Sequence, residues 1–203
     1  LTGFEVVEFS GIEPNPRVTS VNAAAKLARE QKADFIVAVG GGSVIDASKA
    51  IAAAVKYDGD AWDLVKDGSL IKDALPLFSV LTLAATGSEY DAPGVISNMD
   101  TNEKQAISSP LLFPKASFCD PSVSASVPAW HTAAGAADIM SHTFEQYLVI
   151  EGNDVSDGFC ETILKTVVKN APICIKDPTN LEARSAMMLA SSFGCCGLLA
   201  IGN

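Results

Sequence analysis

Residues 34–49, DFIVAVGGGSVIDASK, decide the fold. The opening run, Asp34-Phe-Ile-Val-Ala-Val39, is continuous, apolar and rich in β-branched residues, the pattern of a strand covered on both faces. Three glycines follow at once, and Ser43 opens a helical pattern that extends to Tyr57. A strand, a glycine turn and a helix start bring free backbone N–H groups to one point, and the absence of side chains lets an anion approach them. The helix start also carries roughly half a positive charge. Ser43 can cap it and donate a hydroxyl. Gly40, Gly41, Gly42 and Ser43 are therefore candidates for holding a phosphate; the competing explanation is a tight strand–helix turn with no ligand. The spacing is not the Rossmann fingerprint, because Ile45 stands where the third glycine would fall. Asp46 and Lys49 lie three residues apart on the same helix, which taken alone reads as a surface ion pair.

Outward from this stretch, strand-like and helix-like patterns alternate. Phe4–Phe9 is a candidate strand followed by the turn-rich Gly11-Ile-Glu-Pro-Asn-Pro16. Ser20 is placed to cap a helix whose apolar positions are Val21, Ala24, Leu27 and Ala28. A further buried strand, Leu77–Leu83, runs into Ala84-Ala-Thr-Gly-Ser-Glu89, and shorter extended pieces are expected at Gly94–Ser97 and Ala116–Cys119. This alternation predicts an α/β fold with a wound parallel sheet. The character changes after Asp120-Pro121. Pro128 suits a first helical position, and Ala129–Ile150, Asp154–Asn170 and Leu181–Ile201 all read as helices. A boundary near residue 122 is expected, with an α/β part over 1–122 and an all-helical part over 123–203.

Composition narrows the function classes. Of 203 residues 48% are hydrophobic and 19% charged, which predicts an extensive core and little disorder. A net charge of −10 with no run of Lys and Arg argues against nucleic acid as a partner. No apolar stretch reaches the ~20 residues that cross a bilayer, so no membrane partner is expected. The five cysteines, Cys119, Cys160, Cys174, Cys195 and Cys196, are odd in number and form no CxxC pair. They read as reduced thiols in the core of a cytoplasmic protein. Leu1 is not an initiator methionine, and the last helical pattern stops at Gly202-Asn203, so the chain is expected to be a segment of a longer polypeptide.

Two further clusters carry chemistry. Thr82-Leu-Ala-Ala-Thr-Gly-Ser-Glu89 leaves a strand at the edge where wound folds bind ligands, and Thr86 and Ser88 could hold phosphate, ribose or carboxamide groups. Such loops are also common without a ligand, and Lys104 in the polar stretch beyond is equally at home in solvent. Asp138-Ile-Met-Ser-His142 puts a carboxylate and an imidazole on one helix face. Their neighbours Ala134, Ala136, Ala137, Ile139 and Met140 predict that this face is buried. Buried polar groups need partners: either the two satisfy each other, which spacing alone favours, or both converge on a divalent ion such as Fe²⁺ or Zn²⁺. The only other histidine, His131, lies about 16 Å from His142 by helix rise and cannot complete such a site.

Taken together, Gly11–Pro16, Gly40–Lys49, Thr82–Glu89 and Ala133–Glu145 resemble the iron-containing (group III) alcohol dehydrogenase family in order and spacing, in the form seen in its butanol dehydrogenases. The resemblance implies an α/β dinucleotide-binding domain followed by part of an all-helical metal-binding domain, an architecture shared with dehydroquinate synthase. It implies NAD or NADP, held by Gly41, Gly42, Ser43 and Asp46 and by Thr82, Thr86 and Lys104, with His131 near the nicotinamide pocket. Asp138 and His142 become two of four ligands to a divalent metal, iron before zinc; the family's other two are histidines on later helices. The implied reaction transfers hydride between NAD(P)(H) and a primary alcohol or aldehyde such as butanol or butyraldehyde. A homodimer is compatible with it. Rivals are a glycerol dehydrogenase-like relative, or a catalytically inactive dinucleotide-binding module.

Overall fold

The structure is a computed structural model in which residues 2–149 and 153–195 are described. Its helices are α1 (Val18–Glu30), α2 (Gly42–Ala54), α3 (Ala61–Lys66), α4 (Ala129–Tyr147), α5 (Asp154–Lys176) and α6 (Leu181–Cys195). Its strands are β1 (Ile36–Gly40), β2 (Leu77–Leu81), β3 (Gly94–Asn98), β4 (Glu103–Ile107) and β5 (Ala116–Phe118). β1, β2 and β5 form one sheet in that order. The Ile36 N–H donates to the Pro76 carbonyl and the Thr82 N–H to the Gly40 carbonyl, so β1 and β2 start and end together and run parallel. β3 and β4 form a separate antiparallel ribbon, in register from Gly94↔Ile107 to Asn98↔Glu103.

The chain divides into two compact units. The first is Leu1–Ala38, Ser43–Phe78 and Ala92–Lys115; the second is Val39–Gly42, Ser79–Asp91 and Ala116–Asn203. In the first, Val21 and Ala25 of α1, Ala47, Ala50 and Ile51 of α2, Leu64 of α3 and the ribbon residues Ile96 and Ile107 share one core. These are the 3–4 and period-2 positions that helices and strands turn inward. In the second, Ala136 and Ile139 of α4 pack with Cys160, Ile163 and Val167 of α5 and with Met187 and Ala190 of α6. Small residues on α4 and α6 let the three helices come close. No helix among the described residues is long and apolar enough to cross a membrane.

Several expectations need correction. Phe4–Phe9 forms no strand, and Phe4, Val6, Val7 and Phe9 are all exposed. An apolar run becomes a strand only where another strand completes its ladder, and none among the described residues does so. α1 starts at Val18, before Ser20, whose hydroxyl donates to the Glu13 carboxylate instead of capping the helix. β1 is not covered throughout, since Val39 is 61% exposed. Lys104 sits in β4, where cross-strand pairing makes a strand of a polar sequence that propensity alone would not select. Pro128 precedes α4 as its cap residue and is not its first helical residue. α5 continues past Asn170 and through Pro172 to Lys176, keeping Ala171 and Cys174 in the core despite the ladder bond that proline cannot make. Ile150, Cys196 and the expected continuation of α6 to Ile201 lie outside the described residues.

Candidate functional site

The glycine turn and the Thr82–Glu89 loop, which the sequence offers separately, are packed together. β1 ends at Gly40 and α2 begins at Gly42, so the turn is short and the helix start lies directly beyond the strand. The Thr82 N–H closes on the Gly40 carbonyl at 3.0 Å. A Cβ on Gly42 would come within 2.8 Å of Thr86 Cγ2, and one on Gly41 would touch Leu83 Cβ at 3.4 Å. None of Gly40, Gly41 and Gly42 has a positive φ. Gly42 is therefore required by the close approach of the neighbouring loop rather than by backbone conformation. Thr86 Oγ1 accepts from the Ser88 N–H at 3.3 Å, and Ser88 is buried. Gly87 adopts φ +72°, and a Cβ there would meet the Ser191 carbonyl of α6 at 2.9 Å.

One cleft in the second unit gathers residues from three distant stretches. Gly41, Thr82, Ser126, Val127, Pro128 and His131 line it. Ser126, Val127 and Pro128 carried no signal in the sequence beyond a helix start; they join the site because α4 begins there. His131 is exposed in the first turn of α4. Immediately before this wall, Asp120 caps the 3₁₀ turn Pro121–Ser124 by accepting from the Ser122 N–H at 2.9 Å. Hydrogen bonds from Ser122 hold the Asp120 carboxyl below its usual pKa.

Asp46, Lys49 and Lys104 belong to the first unit, and there each has a structural task. Asp46 Oδ2 accepts from the Val95 N–H at 2.9 Å. Lys49 is fully buried and its Nζ donates to the Pro93 carbonyl at 2.6 Å. The reading of Asp46 and Lys49 as a surface pair is thus corrected: both hold the segment that enters β3, whose partners lie more than forty residues away in the chain. Lys104 Nζ donates to Asn15 Oδ1 at 2.7 Å from an exposed position on β4.

On α4, Asp138 and His142 share a face, but not the buried one. The buried face is Thr132, Gly135, Ala136, Ile139 and Thr143, whereas Trp130, Ala134, Ala137 and Ser141 are exposed. The Asp138 and His142 side chains are 42% and 28% exposed. Alanine favours helix without choosing a face, which is why the sequence misplaced this one. His142 Nε2 and Asp138 Oδ1 stand 3.8 Å apart, too far for the mutual hydrogen bond that spacing alone favoured. Two donors bonded to one ion at roughly 2.0–2.2 Å each stand about 3.3–3.6 Å apart at a tetrahedral angle, so the pair is slightly wider than a tetrahedral metal site would hold it. The opposite ring nitrogen, Nδ1, lies 3.5 Å from Glu145 Oε2, a neighbour the sequence reading did not single out. No group of three or more His, Cys, Asp or Glu side chains that could hold a metal occurs among the described residues.

Comparison with known proteins gives a consistent picture. Residues 1–121 match the sequence profile of iron-containing alcohol dehydrogenases, and residues 132–203 match the profile of the C-terminal part of that family. The chain is 52% identical over 197 residues to NADH-dependent butanol dehydrogenase A of Clostridium acetobutylicum, covering 97% of this chain and 51% of that one. It is 42% identical to the NADPH-dependent aldehyde reductase YqhD of Escherichia coli, covering 100% of this chain and 53% of that one. Among solved structures, NADH-dependent butanol dehydrogenase A from Thermotoga maritima superposes with a TM-score of 0.95 at 39% identity, over 98% of this chain and 50% of that one. The chain spans about half the length of the curated relatives it matches.

Proposed function

The chain belongs to the iron-containing alcohol dehydrogenase family, and we propose on that premise that it carries the cofactor cleft and the first two metal ligands of an alcohol/aldehyde oxidoreductase. The reaction is hydride transfer between NAD(P)(H) and a primary alcohol or aldehyde of the butanol and butyraldehyde kind. The observation that carries this reading is the cleft itself, where the glycine turn, the Thr82 loop and the first turn of α4 meet. The relatives named for NADH and for NADPH leave the choice between the two open.

In this reading Gly40, Gly41, Gly42 and Ser43 hold the pyrophosphate on the N–H groups at the start of α2. Asp46 acts through β3, by fixing the Val95 N–H, more than by touching the cofactor. Thr86 and Ser88 brace the loop that presents Thr82 to the cleft, and Lys104 is assigned to the cofactor by its place in the motif order alone. Thr82, Ser126 and His131 offer the polar atoms that orient the nicotinamide side, while Val127 and Pro128 exclude water from the wall they form. Asp138 and His142 hold a divalent metal, iron before zinc, which when bound supplies Lewis acidity toward the alcohol or carbonyl oxygen. His131 is the one titratable side chain among the residues lining the cleft; we assign no dedicated general base, and protons leave through water. The division near residue 122 into a dinucleotide part and a helical metal part goes with this assignment, as does a cytoplasmic location.

The test is a substrate panel on the protein made from its natural gene. NADH or NADPH oxidation with butyraldehyde, and weak turnover of glycerol, is expected. Preference for glycerol would move the chain to the glycerol dehydrogenase branch. Nucleotide binding without any turnover would make it an inactive dinucleotide-binding module.

A further inference from the structure

The wall of the cleft rests on a buried arginine. Arg184, near the start of α6, is only 5% exposed. Its Nε donates to the Pro178 carbonyl at 3.0 Å, and its Nη1 donates to Thr132 Oγ1 at 3.1 Å, across 52 positions of sequence. Nη2 has no hydrogen-bond partner among the described residues, and the guanidinium borders a small cavity behind the cleft, lined also by Ser124, Val127 and Thr132. Val127 thus faces both spaces, the cavity on one side and the cleft on the other.

The first turn of α4 lacks the usual side-chain anchors of a helix start. Pro128 makes no side-chain cap, and no acidic residue stands in that turn to meet the helix dipole. Yet this turn and the loop before it supply Ser126, Val127, Pro128 and His131 to the cleft. Thr132 is adjacent to His131 and is itself buried. A guanidinium offers a planar fork with fixed angles, so two bonds from one Arg184 set direction as well as distance. We propose that Arg184 is a positioning residue, which through Thr132 fixes the first turn of α4 and so aims His131 and its wall at the cleft. The consequence for cofactor binding rests on the functional reading above; the positioning itself does not.

Three variants of the protein made from its natural gene test this. Thr132→Val keeps the shape but removes the acceptor, Thr132→Ser restores the acceptor, and Arg184→Lys keeps the charge but cannot span both partners. The primary readout is the His131 ring signal in ¹H–¹³C NMR, assigned by its loss in His131→Gln. It should shift or broaden in Thr132→Val and Arg184→Lys and return in Thr132→Ser. NADH affinity should weaken about tenfold in the first two, as expected for one well-placed buried hydrogen bond, and recover in the third. An unchanged His131 signal in folded Thr132→Val and Arg184→Lys overturns the inference, as does failure of Thr132→Ser to restore it. If the natural protein binds neither NADH nor NADPH, the functional reading fails, and the His131 signal still decides the positioning role.

Discussion

Gly42 owes its identity to the atom it lacks. A Cβ there would stand within 2.8 Å of Thr86 Cγ2, so the glycine lets the Thr82–Glu89 loop close against the turn after β1. Gly42→Ala should therefore overpack this contact, costing about 1–3 kcal/mol by thermal or denaturant unfolding, and should lower nucleotide affinity together with stability. An alanine variant of unchanged stability would show that the loop has room to move. The glycine run was legible in the sequence, but its reason was not: three glycines after a strand announced a ligand, while at Gly42 the nearest crowding group is a threonine 44 positions on. Lys49 repeats the lesson. Its spacing from Asp46 suggested a solvated pair, and only the fold brings the Pro93 carbonyl to its fully buried ammonium.

Among the elements, those with strong intrinsic periodicity were read well. β1 and β2 appear where the apolar runs placed them, and α2, α4 and α6 start within a residue of expectation. β4 was missed because Glu103-Lys-Gln-Ala-Ile107 is a strand only by virtue of its pairing with β3. The Asp138–His142 face of α4 was misjudged because its alanines, 134 and 136 alike, look the same in sequence although only Ala136 is buried. The 3₁₀ turn Pro121–Ser124, which leads into the cleft wall, invites a pH experiment. Hydrogen bonds from Ser122 lower the Asp120 pKa in the folded state, so whatever stability this cap provides is fully present above the unfolded-state pKa. It is lost as pH falls through the depressed folded value. An NMR titration should show the Asp120 carboxyl with a midpoint below that of an ordinary aspartate, and Ser122→Ala should move it upward. A midpoint at the ordinary value would remove the carboxylate from the cap.

For the molecule as a whole, motif order carried more than any single motif. Each of the glycine turn, the hydroxyl loop and the Asp138–His142 pair had an ordinary explanation alone, and their sequence and spacing pointed to the family that the comparisons bear out. The cleft was only half legible, since Gly41, Thr82 and His131 stood out in the chain while Ser126, Val127 and Arg184 matter only once α4 and α6 are folded. The metal centre is the claim on which the proposed chemistry turns. Its most direct test is the metal content of the protein made from its natural gene, with and without His142→Ala, measured alongside NAD(P)H-dependent butyraldehyde reduction. The expected result is iron or zinc bound to the natural protein, with both metal and turnover lost in the variant. Full metal content and undiminished turnover in His142→Ala would contradict the assignment of Asp138 and His142 as ligands.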